Sequence, residues 1–327
     1  MLRTIAILCA ALCLLAGCGG GSGSDRPGEE ASLLLDFTPN GVHSGIYLAT
    51  QRGYDEAEGV ELDVRVPGAS TDALRLLQGG RADMAILDIH DLGLARQQGR
   101  DVVGVMALLQ RPLASVFAQP DVRRPRDLEG GRAGVTGLPS DVAVLRSVIA
   151  GDGGDPDAVR TTTIGFDAVK AMLARRVDAA TAFWSVEGVA LRERRPEIRE
   201  FRVDDYGAPA YPELVLCVTR RTLEERRPVV AATIRALQRG YTQAQVDPES
   251  AVNALVQADT GVDPAAGAAQ LDAVAPAFTA GAREYGELRE DVLRDWAAWD
   301  VEFGILSERL DVRRAFAFDL VGPVENP

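Results

Sequence analysis

The chain has 327 residues, 46% of them apolar, which supplies a large core and, on length, favours two domains over one. Charged residues at 25%, with 33 Gly and 17 Pro, give a globular composition and exclude a disordered, collagen-like or multi-span membrane chain. A formal net charge of −13 opposes a nucleic-acid role, and 2 His with 4 Cys leave too few side chains for a His-rich or Cys-rich metal site.

The N-terminus reads MLRTIAILCAALCLLAGC. Arg3 supplies a positive start, and residues 5–16 form an apolar stretch too short for a comfortable membrane span. The segment therefore reads as a signal peptide over 1–17. Leu15-Ala16-Gly17-Cys18 resembles the bacterial lipobox, which implies lipidation of Cys18. Residues 19–30 (GGGSGSDRPGEE) are Gly/Ser-rich and polar, so 18–31 reads as a lipidated cysteine and a flexible tether. Two acyl chains suffice for stable attachment to a membrane.

From residue 32 short apolar runs alternate with amphipathic stretches. Residues 33–37 read as a buried strand and Pro39-Asn40-Gly41 as a turn. Residues 42–52 carry helical spacing, and 60–66 alternate as a strand. A helix over 70–78 with Ser70 as N-cap, a strand at 82–87, a helix at 88–98 and a strand at 102–109 complete a first α/β unit. Residues 115–119, followed by Pro120, Pro125 and Gly130-Gly131, break that rhythm. A second unit follows: strands at 133–136, 159–164, 178–183 and 198–203, with helices at 140–150, 167–174 and 186–193. One more apolar strand falls at 214–219, and helices are predicted over 222–245, 249–259, 264–279 and 287–303. A helical tail without its own sheet must pack on an existing one. The expectation is an α/β protein of two lobes, 32–116 plus 213–327 and 117–212. The chain crosses between them near 115–122 and 206–213, with a ligand cleft between the lobes and the tail on lobe 1.

Several chemistries lack their motifs. There is no G-x-G-x-x-G after a strand, no G-x-x-x-x-G-K-[ST], no G-x-S-x-G, and no H-E-x-x-H or C-x-x-C beyond residue 18. Asp88-Ile-His90-Asp91 carries metal-capable side chains, yet it reads more simply as a strand end with Asp88 capping a helix, and no metal is expected. If the signal is removed and Cys18 lipidated, Cys217 remains alone and is read as a buried strand residue. Lys170 is the sole lysine.

The stretch DFTPNGVHSGIYLA at 36–49 is the most informative. It compresses a strand end, a tight turn and a helix start, which places Phe37, Asn40 and His43 at the carboxyl end of a strand, where α/β proteins bind ligands. Asn40 can donate and accept, and Phe37 can stack on a flat ring. In the second unit Trp184 and Glu187 follow a strand: an indole face can stack on a ring, and a carboxylate can accept from an exocyclic amine. Thr136 begins a strand–loop–helix junction, and Asp88 and Gln110 end strands of the first unit.

The 36–49 stretch resembles the D-W-T-P-N-x-x-H-x-G-[IL]-Y-[VL]-A signature of the thiamine-precursor branch of the solute-binding proteins, with Phe37 in place of the usual Trp. Gly53-Tyr54 with Glu58-Gly59-Val60, Gly80-Arg-Ala-Asp83, FWSVEG at 183–188, and Asp205-Tyr-Gly-x-Pro209 with Tyr211 resemble further segments of that family in order. Together they span most of 33–220. The resemblance implies a type II periplasmic-binding-protein fold that closes on a pyrimidine such as hydroxymethylpyrimidine or formylaminopyrimidine. It also implies an ABC permease and ATPase as partners, a monomer tethered at the outer face of the cell membrane, no cofactor and no catalysis. Its ligand-binding candidates are Phe37, Asn40, His43, Asp88, Gln110, Thr136, Trp184, Glu187 and Tyr211. Two alternatives stay open. One is the same fold with riboflavin, another aromatic amine, or a sulfonate- or nitrate-type anion. The other is a pyrimidine synthase, whose family uses a lysine and a cysteine-rich segment.

Overall fold

The computed structural model describes residues 28–68 and 72–323. The signal segment, Cys18, most of the tether and the expected Ser70 cap lie outside the described residues.

The strands form two five-stranded sheets. The first contains β1 (Glu29–Leu34), β2 (Val60–Arg65), β3 (Met84–Asp88), β4 (Val102–Ala107) and β10 (Leu214–Thr219), in the order β2-β1-β3-β10-β4. The second contains β5 (Ala114–Ala118), β6 (Arg132–Val135), β7 (Arg160–Thr163), β8 (Ala179–Phe183) and β9 (Arg199–Arg202), in the order β7-β6-β8-β5-β9. β10 runs antiparallel between β3 and β4, and β5 runs antiparallel between β8 and β9. The remaining pairs are parallel. Each sheet therefore has one interior strand, next to an edge strand, that runs against its neighbours.

Local chemistry explains most of the helices. Between the first strands lie α1 (Ser44–Gln51), α2 (Tyr54–Ala57), α3 (Asp72–Gln78) and α4 (Ile89–Gln97). The second sheet carries α5 (Pro139–Gly151), α6 (Ala168–Leu173) and α7 (Glu187–Arg194). The tail holds α8 (Arg220–Glu225), α9 (Arg227–Val246), α10 (Pro248–Ala258), α11 (Pro264–Phe278), α12 (Glu290–Glu302) and α13 (Val312–Ala315). α10 and α11 each open on Asp-Pro. The Asp247 and Asp263 side chains accept from Ser250 N and Ala266 N, while Pro at the first position has no N–H to leave unpaired.

The structure departs from the sequence reading in three places. Residues 114–118 are a strand, not a break, and the flanking Pro112 and Pro120 mark its limits. Because β5 belongs to the second sheet, the first crossing spans 108–113, and the expected boundary after 116 falls inside a strand. The single helix expected over 222–245 is split at Arg226, where Pro228 would clash with the preceding turn of a continuous helix.

The tail packs on the first sheet. Residues beyond α13 seal its outer edge: Ala317 N–H donates to Gly104 O, and Phe316 pairs with Gly104 as an isolated bridge. A Cβ on Gly104 would lie 2.5 Å from the Phe316 ring, so glycine is what lets the ring close over β4. α1 and α9 touch backbone to backbone. A Cβ on Gly45 would meet the Tyr241 ring at 2.4 Å, and one on Gly240 would meet Gly45 O at 2.2 Å. The Tyr241 hydroxyl donates to Val42 O at 2.8 Å, which ties this crossing to the start of the 36–49 loop. Gly240→Ala is therefore expected to destabilise the protein by about 1–3 kcal/mol through overpacking. A lowered urea midpoint with an unchanged m-value checks this, and an unshifted midpoint contradicts the backbone contact.

Candidate functional site

A cleft lies between the two sheets and is lined from both lobes. Its first wall is the 36–41 loop after β1. Asn40 is extended at φ −153° and caps the short 3₁₀ turn Gly41–His43: its Oδ1 accepts from Val42 N, and its Nδ2 donates to Thr38 O. His43 is fully buried. Its Nδ1 accepts from Asn40 N at 3.2 Å, which leaves Nε2–H to donate to Asp36 Oδ1 at 2.9 Å. The turn thereby fixes Asp36 at the cleft. Phe37 sits beside it and meets Phe166 of the second lobe, with ring centroids 5.8 Å apart.

The floor is a buried charge cluster where the chain crosses between lobes. Asp88 ends β3 and caps α4, accepting from His90 N at 2.8 Å. His90 places Nδ1 on Asp300 at 2.8 Å, and Nε2 faces the Tyr211 hydroxyl at 3.3 Å and Glu213 Oε1 at 3.9 Å. Glu213 Oε2 accepts from Leu113 N at 2.6 Å and Ala114 N at 3.1 Å. Burial would lower the His90 pKa, but the carboxylates of Asp300, Asp88 and Glu213 override it and push it up to about 10. Burial, only partly offset by His90, holds the Asp88 and Glu213 carboxyls above their usual range.

The second wall comes from the β6–α5 and β8–α7 junctions. Thr136 N–H donates to Asp141 Oδ2 at 2.6 Å, the Thr136 hydroxyl donates to the same oxygen, and Leu138 N donates to Thr136 Oγ1. Glu187 opens α7 and is half-buried. Burial, with Asp141 nearby, raises its pKa, and burial likewise raises that of Asp141.

Five of the nine residues expected at a ligand line this cleft: Phe37, Asn40, Asp88, Thr136 and Glu187. Four do not. His43 acts behind Asp36. Gln110 is buried in the first crossing, where its N–H donates to Ala277 O and its side chain to Glu287 O, tying down the tail. Trp184 was expected to offer an indole face to the cleft. It is 2% exposed, donates Nε1–H to Pro112 O at 2.9 Å, and has the Arg202 guanidinium 4.3 Å above its ring, so it packs the crossing instead. Tyr211 is fully buried beneath the floor against His90. An apolar run beside a motif does not reveal which side of a turn a side chain takes, and these four point inward.

Sequence reasoning missed Asp36, His90, Asp91, Asp141, Phe166, Ser185 and Glu213, all of which line the cleft. Asp36 and Ser185 lie inside stretches already singled out. His90 and Glu213 carried no spacing signal because they meet across 123 residues. Asp88, His90 and Glu213 place potential metal-ligand atoms within 4.8 Å of one another. Both His90 nitrogens face carboxylate or hydroxyl oxygens, Asp88 caps α4, and Glu213 holds two N–H groups, so these atoms are already committed to the protein. Six carboxylates line the cleft: Asp36, Asp88, Asp91, Asp141, Glu187 and Glu213. Among the described residues no Lys or Arg does. Arg111 is turned away and paired with Asp204 at 2.6 Å.

Two α/β lobes, each with a reversed interior strand and joined by two crossings beneath a cleft, define the periplasmic-binding-protein fold. The aliphatic sulphonate-binding protein SsuA of Escherichia coli has the same fold at 15% identity, with a TM-score of 0.72, covering 88% of this chain and 97% of that one. The chain belongs to the NMT1/THI5-like family, whose model matches residues 40–251. It is 33% identical over 258 residues to a formylaminopyrimidine-binding protein of Halalkalibacterium halodurans, covering 78% of each chain. At 25% identity over 240 residues it is also similar to a 4-amino-5-hydroxymethyl-2-methylpyrimidine phosphate synthase of Legionella pneumophila, covering 70% of this chain and 74% of the relative.

The floor cluster predicts a pH response. A raised His90 pKa means its contribution is complete below about 6.5, its unfolded value, and is lost as pH rises toward about 10. The raised carboxyls of Asp88 and Glu213 act in the same direction, since the folded state holds their protons longer. Thermal melts should fall between pH 6.5 and 10. His90→Gln should destabilise the protein by about 3–5 kcal/mol at pH 7 and flatten that fall, because it leaves buried carboxylates without their cation. A His90→Gln protein with the wild-type pH profile would contradict the assignment.

Proposed function

We propose that this protein is the extracytoplasmic receptor of an ABC importer. It captures a small amine-bearing heteroaromatic nutrient of the pyrimidine thiamine-precursor class and passes it to a permease and its ATPase by lobe closure. The observation that carries the reading is the cleft's charge: six lining carboxyl groups against one buried cation, the His90 imidazolium, and no Lys or Arg among the described residues. Such a wall repels sulfonates and nitrate and suits a ligand rich in N–H donors or protonated on its ring. Glu187 is the residue we place on an aminopyrimidine edge. As a neutral acid it donates to a ring nitrogen and accepts from the adjacent amine; as a carboxylate it takes the same two contacts from a protonated ring. Phe37 supplies an aromatic face. The chain's similarity to a formylaminopyrimidine-binding protein supports the ligand class.

The reading places the chain as a monomeric lipoprotein, anchored through Cys18 with residues 19–30 as tether. Among the described residues no helix is long and apolar enough to cross a membrane. The synthase reading is disfavoured by position: Lys170 stands on α6 with its side chain 68% exposed, outside the cleft lining.

Hydroxymethylpyrimidine should raise the melting temperature. Saturation at 100 times Kd would add about 2.7 kcal/mol of stability. Taurine and nitrate should leave the melt unchanged. Glu187→Ala should weaken binding at least tenfold, roughly the loss of a charge-assisted hydrogen-bond pair, while leaving the ligand-free melt intact. A shift with taurine and none with any pyrimidine sinks the proposal.

A further inference from the structure

Among the described residues, twelve buried side-chain polar atoms have no hydrogen-bond partner, and one of them, Ser185 Oγ, belongs to a residue that lines the cleft. Ser185 is fully buried, in the turn between β8 and α7. The turn is fastened from behind. Trp184 N–H donates to Leu113 O at 3.0 Å, Trp184 Nε1–H donates to Pro112 O at 2.9 Å, and the Arg192 guanidinium donates to Trp184 O at 3.2 Å. Val186 N–H closes the turn on Phe183 O. The backbone that carries Ser185 is thus held in place.

A buried hydroxyl offers one donor and two acceptor positions, and leaving all of them unmade is unfavourable. Its neighbours on the same wall are occupied. The Thr136 hydroxyl donates to Asp141, and the Thr181 hydroxyl is directed at Gly134 O. Ser115 and Thr233 are also buried without partners, but neither lines the cleft. Ser185 thus places an uncommitted O–H donor in a cleft whose charged groups are mostly acceptors.

We infer that Ser185 is a specificity-determining ligand contact: its hydroxyl donates to an acceptor atom of the ligand, a ring nitrogen or a substituent oxygen, lying beside the amine taken by Glu187. This deepens the receptor reading above and rests on it for the ligand class. It divides the labour on the second wall, with Glu187 reading a donor edge and Ser185 reading an acceptor next to it. A ligand with donors but no acceptor at that place leaves the hydroxyl unpaired and is discriminated against.

The test compares wild type, Ser185→Ala and the control Ser115→Ala, each as the full chain. Ligand-free melts are measured first. Binding is then measured by calorimetry with whichever of hydroxymethylpyrimidine, cytosine, riboflavin and taurine shifts the wild type most. Both variants should melt at or near the wild-type temperature, because each loses only an unpaired hydroxyl. Ser185→Ala should weaken binding about 5- to 50-fold, and Ser115→Ala by less than about twofold. Wild-type affinity in Ser185→Ala overturns the inference and leaves the pyrimidine reading standing if hydroxymethylpyrimidine is the bound probe. A loss confined to Ser185→Ala with riboflavin as the bound probe supports the Ser185 contact and overturns the pyrimidine class. An equal loss in both variants overturns the inference by showing a general effect of removing buried hydroxyls.

Discussion

The structure depends on one carboxylate. Glu213, at the end of the second crossing, accepts two backbone N–H groups from the first crossing, at Leu113 and Ala114. The Arg111–Asp204 ion pair is a second tie between the two connections. Burying the Glu213 carboxylate is expensive, and His90 offsets the cost from lobe 1 while Asp300 on α12 holds the imidazole from behind. The helical tail is therefore more than a cover for the first sheet, since it supplies the group that orients the counter-charge of the crossing.

The same cluster shapes the cleft. Asp88, His90, Asp91 and Glu213 form its floor, and Asp36, Asp141 and Glu187 stand on its walls. A single imidazolium serves this many acids, so the cleft carries excess negative potential in a low-dielectric setting. Burial, more than repulsion between these acids, is what raises the carboxyl pKa values of Asp88, Asp141, Glu187 and Glu213. The likeness to SsuA is one of fold, and what a site binds is set by the side chains placed on that fold.

Much of the fold was legible in the sequence because its strands are short apolar runs bounded by Gly and Pro, and two of its tail helices, α10 and α11, open on Asp-Pro. β5 was hidden because Pro112 and Pro120 stand so close that the seven residues between them read as loop. The site was half legible. Phe37, Asn40, Asp88, Thr136 and Glu187 lie at strand ends that local pattern locates. Trp184 and Tyr211 lie at such ends too, but rotate toward the crossings, where the indole N–H and phenol find partners. His90, Glu213 and Asp300 could not be read together from sequence, since long-range pairing of charges leaves no spacing to count.

The order of strands in the first sheet has a consequence for how the chain reaches this state. β5 to β9 are contiguous in sequence, so the second sheet has all its strands once residue 202 is made. The first sheet does not. β4 pairs with no strand made before it and waits for β10, more than a hundred residues later, to bridge it to β3. Its other edge contact, at Gly104, waits for Phe316 and Ala317 near the chain's end. During synthesis the second lobe can fold while the first stays incomplete, with an apolar strand unsatisfied on both sides. Phe316 and Ala317, about two hundred residues beyond β4, help close that strand.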